Sequence, residues 1–171
     1  MNERTRPLLL SLGIIILDQI TKQLVVLNIP ENTIGFSCLG DFLRIIHVRN
    51  TAVAFSLGTD LDAAVKVVLF ILLPLAVMFM LFFVIVSKKD IGKFTTVQRW
   101  CLAGILGGGC GNLIDRIFRS FRVVDFISNK FYGLLGFDRW PTYNIADSAV
   151  VVSVIILAVT IIFEKKEESR A

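Results

Sequence analysis

The chain is poor in the residues that most often carry nucleophilic or metal chemistry. It has one histidine, His47, and three cysteines, Cys38, Cys101 and Cys110. A serine triad needs a histidine beside its serine. His47 lies in a stretch that reads as a strand, so Ser11, Ser56 and Ser148 lack a base, and His47 is expected to be structural. No cysteine or histidine spacing matches a zinc site, and Cys101 and Cys110, nine residues apart on one predicted helix, are too far apart to pair. Neither a metal, a cofactor nor a structural disulfide is expected. Charge is scarce as well, at 19% of residues, with a net +4 and a pI near 9.1. That balance could suit nucleic acid, but no basic helix is interleaved with aromatics, so no nucleic-acid partner is expected. There is no internal repeat and no low-complexity linker, and 171 residues suit one domain, 1–171.

What the chain has in excess is apolar sequence. Hydrophobic residues make up 55% and the mean hydropathy is +0.74, above the composition of soluble domains. Val67 to Val86 is twenty residues without a charge, long enough to cross a hydrocarbon core of about 30 Å, and Pro74 predicts a kink within it. Four spans are expected, at about 8–27, 65–86, 97–118 and 144–163, with mixed segments 28–62 and 119–143 between them. Asp18 interrupts the first apolar stretch and no small-residue cleavage site follows, so it reads as a retained helix rather than a cleaved signal. Asp41 to Asn50 is rich in β-branched residues and punctuated by glycine, which favours short strands. Phe131, Tyr132, Phe137 and Trp140 suit the headgroup zone. Lys and Arg number nine in the 28 residues of the N-terminal stub, the 87–99 loop and the tail, against seven in the 63 residues of segments 28–62 and 116–143. The positive-inside rule then places both termini in the cytoplasm, and the third and fourth spans bring their polar ends to the outer surface.

At that level the polar residues collect. Asn112, Asp115 and Arg116 are spaced i, i+3 and i+4, on one helical face. For Asp115 and Arg116 a local ion arrangement that ties spans together and a direct catalytic role are both open; a supporting role fits either. Asn144 and Asp147 are i and i+3 at the start of the fourth span. Asn144 suits a helix cap, and Asp147 sits among Ile145, Ala146, Ala149 and Val150. A carboxylate there needs a partner, for which Arg116 is a candidate, or else holds its proton through desolvation. Asp125 is flanked by Val123, Val124, Phe126 and Ile127, which predicts burial. Two carboxyls sharing an apolar site do not both ionise. Such a pair can activate water with one member and protonate a substrate with the other. Asp18 and Lys22, at i and i+4, read as an internal salt bridge. The glycine-rich half of the third span (Gly104, Gly107, Gly108, Gly109 and Gly111) permits close approach of another backbone or of a ligand chain.

The ordered set Asp18-Gln19-Ile20-Thr21-Lys22, Asn50 to Ser56, Gly111 to Arg116, Val123 to Phe126 and Asn144 to Ser148 resembles the motifs of the bacterial lipoprotein signal peptidases (signal peptidase II), along the whole chain. The resemblance implies a four-transmembrane-helix, all-α membrane protein with a small extracytoplasmic β-sheet and an interfacial helix. It implies an aspartyl endopeptidase of the bacterial inner membrane, acting at the outer face, with Asp125 and Asp147 as its catalytic dyad. Asp18, Lys22, Asn50, Asn112, Asp115, Arg116 and Asn144 would be supporting or substrate-contacting residues. The substrate would be a prolipoprotein, cut before its diacylglyceryl-modified cysteine by a monomeric enzyme among membrane lipids, with the acyl chains beside the glycine-rich third span. One departure is Ala52, where the family commonly has glycine; a positive φ there would strain alanine. Two other classes compete. A proton-coupled transporter using Asp18, Asp115 and Asp147 would need acids spread across membrane depth, and a non-catalytic assembly subunit would use its polar residues as helix glue.

Overall fold

Pro7, with a helix-ready φ and no N–H to leave unpaired, opens α1, Pro7–Asn28. A hairpin of β1, Ile34–Cys38, and β2, Leu43–Asn50, follows. This computed structural model describes residues 3, 5–50, 62–88 and 94–168. The expectation about Ala52 and most of the Asn50 to Ser56 motif lies outside the described residues. Asp62 caps α2, Ala63–Val67, by accepting from the Ala64 N–H at 3.0 Å. α2 runs through a π-helical turn, Val68–Leu72, into α3, Leu73–Val86. Pro74 has no N–H for the carbonyl four residues back, and the chain takes the widened π-helical turn just before it. Thr95 and Gln98 exchange side-chain and backbone bonds in a capping box that starts α4, Thr96–Phe118. β3, Val123–Asn129, a 3-10 turn, Leu134–Gly136, and α5, Ile145–Glu168, complete the chain.

Among the described residues, three helices are long and apolar enough to cross a membrane: Pro7–Asn28, Ala63–Val86 and Ile145–Glu164. The spans expected at 8–27, 65–86 and 144–163 are each found within a residue or two at their starts. The segment expected at 97–118 forms α4, which has the length but not the apolarity. The reason lies in its position. α4 packs against α1, α3 and α5 and buries Gln98, Asp115 and four glycines among other residues, so protein rather than lipid surrounds much of it.

The three strands form one antiparallel sheet in the order β1-β2-β3. Between Ile45 and Val48 the register with β3 slips by one residue. This bulge lies beside His47, which is buried with its Nδ1 2.7 Å from the Ile29 carbonyl oxygen. The histidine is structural, as its sequence setting suggests. On β3 the alternation is plain: Val124 and Phe126 join Val25 of α1 in a core under the sheet, while Val123, Asp125 and Asn129 face a cavity. The interfacial helix implied by the resemblance is not found among the described residues. In segment 119–143 only the turn Leu134–Gly136 is helical, bounded by Gly133 and Gly136 at φ +83° and +81°, and such left-handed residues do not continue a helix.

Candidate active site

Asp147 owes its position to the way α5 begins. Asn144 caps the helix by accepting from the Asp147 N–H at 2.9 Å, and Asp147 Oδ2 accepts in return from the Asn144 N–H at 3.1 Å. The residue before the cap is stitched to β3: the Tyr143 carbonyl accepts from the Phe126 and Ile127 N–H groups at 3.0 and 2.8 Å, and its own N–H donates to Ile127 at 3.1 Å. The start of α5 is thereby held against the strand that carries Asp125.

Asn144 also joins the two carboxyls. Its Nδ2 donates to Asp125 Oδ1 at 2.7 Å, and the side chain is fully buried. Asp125 Oδ2 accepts from Asn50 Nδ2 at 3.1 Å, and Asp147 Oδ1 from Asn112 Nδ2 at 2.7 Å. Asp125 and Asp147 line the same cavity, of about 580 Å³, together with Asn50, Asn112 and Arg116. Burial first, and the nearby charge of Asp147 second, raise the Asp125 carboxyl to about 7; the Asn50 and Asn144 amides pull the other way. Arg116, the partner envisaged for Asp147, makes no ion pair among the described residues. It lines the cavity near both carboxyls, and amides hold Asp147 instead.

Behind this layer lies an ion cluster. Lys22 Nζ is 2.9 Å from Asp18 Oδ2 and 3.0 Å from Asp115 Oδ2, with all three side chains fully buried. Asp18 Oδ1 accepts from the Ala146 N–H at 3.0 Å, and Asp115 Oδ2 from the Val124 N–H at 3.0 Å. Each carboxylate thus anchors the backbone beside one cavity aspartate. Asp18, Lys22, Asp115 and Asn144 do not line the cavity, whereas Asn50, Asn112 and Arg116 do. The local Asp115–Arg116 arrangement is replaced by Asp115 with Lys22 and, at 3.1 Å, Arg119. Arg119 is i+4 from Asp115, a spacing visible in the sequence. Gln19, which bonds Asp18, Asp115 and the Gly111 carbonyl, had no comparable signal.

The glycine row of α4 meets protein. A Cβ on Gly108 would stand 2.4 Å from the Ala146 carbonyl oxygen, and one on Gly107 2.8 Å from Ser11 Cα. α1, α3 and α5 therefore pack against the glycines beside which the acyl chains are expected. The cavity wall reaches the exposed surface of α5 at Val151 and Val152, which are 56% and 55% exposed. Phe42, Phe131 and Trp140 also line the cavity, the last two with ring centroids 5.0 Å apart. Arg139 secures this wall by donating to Ser128 Oγ at 3.0 Å, the Ser128 carbonyl at 3.1 Å and the Asp41 carbonyl at 3.2 Å. Among the described residues no group of His, Cys, Asp or Glu is arranged to hold a metal ion. The acids of the transporter reading, Asp18, Asp115 and Asp147, gather at one level, linked through Lys22 and Asn112, and form no path across the membrane.

Over residues 10–163 the sequence matches the family described as signal peptidase (SPase) II. It is 42% identical to a lipoprotein signal peptidase of Treponema pallidum (strain Nichols), across 98% of this chain and 88% of that protein. It is also 42% identical to one from Borrelia garinii subsp. bavariensis, across 91% and 89%. Two solved structures described as bacterial membrane enzymes share the fold. The first has a TM-score of 0.77 and 23% identity over 94% of this chain and 90% of that one; the second has 0.74 and 24% over 91% of each.

Proposed function

The chain belongs to the signal peptidase II family of membrane aspartic peptidases, and on that premise we propose that Asp125 and Asp147 are the pair that cuts its prolipoprotein substrate. The observation that carries this reading is Asn144, which bonds both carboxyls while they line one cavity. Asp125, raised to about 7, supplies the protonated member, and Asp147, accepting amide donors at both oxygens, supplies the ionised one. A water between them loses a proton to Asp147 as its oxygen attacks the scissile carbonyl, whose oxygen takes the Asp125 proton. When the tetrahedral intermediate collapses, the C–N bond breaks. The proton on Asp147 passes to the leaving nitrogen, and Asp125 recovers its own from the new carboxyl group. The products are the signal peptide with a free carboxylate and the lipid-modified cysteine with a free amine, and no cofactor takes part in these steps.

Asn50, Asn112 and Arg116 meet the substrate backbone in this reading. The diacylglyceryl chains leave the cavity past Val151 and Val152 into the bilayer. The whole chain is a single peptidase domain with α4 as a fourth span, shielded by its neighbours. The density of basic residues supports cytoplasmic termini with the site at the outer face of the inner membrane. The test is cleavage of a precursor peptide bearing a diacylglyceryl-modified cysteine by purified protein in detergent. Asp125→Asn and Asp147→Asn should each lose cleavage yet remain folded; activity in either variant removes that residue from the pair.

A further inference from the structure

Lys22 does not line the cavity, yet all three of its ammonium hydrogens have partners. Two go to Asp18 and Asp115, which account for its charge. The third goes to a neutral amide, with Nζ 2.9 Å from Asn112 Oδ1. An asparagine can present either end of its amide, whereas an ammonium has only donors. Facing Lys22, Asn112 must therefore offer its oxygen. The same oxygen accepts from Asn144 Nδ2 at 3.1 Å, a second donor at the same end. The Asn112 NH2 group is left pointing the other way, 2.7 Å from Asp147 Oδ1.

From this arrangement we propose that Lys22 is a positioning residue, which locks the Asn112 amide so that a donor faces Asp147 and keeps that carboxylate the ionised member of the pair. The role rests on the Asp125–Asp147 reading above and extends it to a side chain that touches neither aspartate. With the amide reversed, a carbonyl oxygen would face the carboxylate. Asp147 Oδ1 would then face a lone pair instead of a donor, and would no longer be held in place to act on the water. The groups that face Asp147 are Asn112 and Arg116 from α4, Asn144 from the start of α5 and Asp125 from β3; Lys22 and Asp18 of α1 act on it through Asn112.

The test uses full-length protein in detergent and a synthetic precursor peptide with a diacylglyceryl-modified cysteine. Lys22→Met combined with Asp18→Asn removes one charge of each sign, so the cluster keeps its charge balance. Asn112→Asp keeps an oxygen for Lys22 and replaces the donor facing Asp147 by another oxygen; it retains the ion cluster and is the variant that does not depend on removing a buried charge. In both, kcat should fall about a hundredfold, the size of effect seen when one aimed donor is lost; in the Lys22/Asp18 variant, whose residues do not line the cavity, KM should change less than about twofold. The acid limb of the kcat profile should move to higher pH. In an Asn112→Ala background the Lys22/Asp18 substitution should cost little more, because both act on one bond. Wild-type kcat and pH profile in Asn112→Asp would overturn the role of Lys22, as would full additivity in the Asn112→Ala background. Asp147→Asn is assayed alongside: activity there would refute the pair itself, whereas an inactive Asp147→Asn beside a normal Asn112→Asp would refute only the lock.

Discussion

Alanine at Gly108 is the smallest change that should pull the two aspartates apart. The added Cβ would lie 2.4 Å from the Ala146 carbonyl oxygen and 2.7 Å from Val150 Cγ2. Val150 can turn aside, but the carbonyl belongs to the first turn of α5 and has no rotamer to change. To reach a carbon–oxygen separation of about 3.3 Å, α5 must withdraw by roughly 1 Å. Asp147 is one residue from Ala146 and moves with it. Its 2.7 Å bond to Asn112 would open to roughly 3.7 Å, which is no longer a hydrogen bond. A displacement of that size at a reacting group costs about a hundredfold in rate, and overpacking costs about 1–3 kcal/mol of stability. Alanine's helix preference over glycine, about 1 kcal/mol, offsets only part of that. Gly13, on α1 with nothing within 4 Å of the added Cβ, is the control, and Gly13→Ala should be fully active and slightly more stable. The assays are thermal unfolding in detergent and cleavage of the lipid-modified precursor. A Gly108→Ala protein as active as the wild type would show that α5 does not need this close approach, and the reasoning from packing to catalysis would fail.

The buried Asp125 carboxyl should also leave a mark on stability. Its value is about 7 in the fold against 3.8 when unperturbed. The stabilisation is fully present below pH 3.8, where both states hold the proton. It is lost as pH rises towards 7, by up to about 4 kcal/mol. Asp125→Asn, which cannot ionise, should therefore unfold at a higher temperature than wild type at pH 8 and at a similar one near pH 4; equal melting at both would contradict the assignment. Arg139→Ala should release the wall that carries Trp140, raising KM for the precursor several-fold with a smaller change in kcat and costing about 1–3 kcal/mol for the buried partners left unpaired. An unchanged KM would mean that this wall does not meet substrate.

Charge set among apolar neighbours was the strongest signal in the sequence. Asp125 and Asp147 stand out because Val, Ile, Phe and Ala flank them, and both prove to line the cavity. The Asp18–Lys22 pair was readable from its i, i+4 spacing. Asn144 was readable as a cap but not as the bridge to Asp125, because the bridge depends on Tyr143 being pinned to β3, a pairing with no local signature. The glycine row signalled close approach without saying of what: backbone of α1 and α5 arrives at Gly107 and Gly108, and side chains of α5, α3 and α1 arrive at Gly104, Gly109 and Gly111. α4 carried the opposite problem. Its polar residues weaken its likeness to a membrane span, and only its central place among α1, α3 and α5 accounts for them. The interfacial helix was implied by the family resemblance and by no pattern in the outer segments, and left-handed glycines at 133 and 136 confine segment 119–143 to one 3-10 turn.

The central claim is that Asp125 and Asp147 form one electrostatic unit, and infrared titration of the protonated carboxyl band tests it most directly. In wild-type protein a band absent from Asp125→Asn should disappear with a midpoint of about 7. In Asp147→Asn the same band should titrate at lower pH, still above 3.8, because burial remains while the neighbouring charge is gone. A midpoint that Asp147→Asn leaves unmoved, or no Asp125 band near pH 7, would contradict the account.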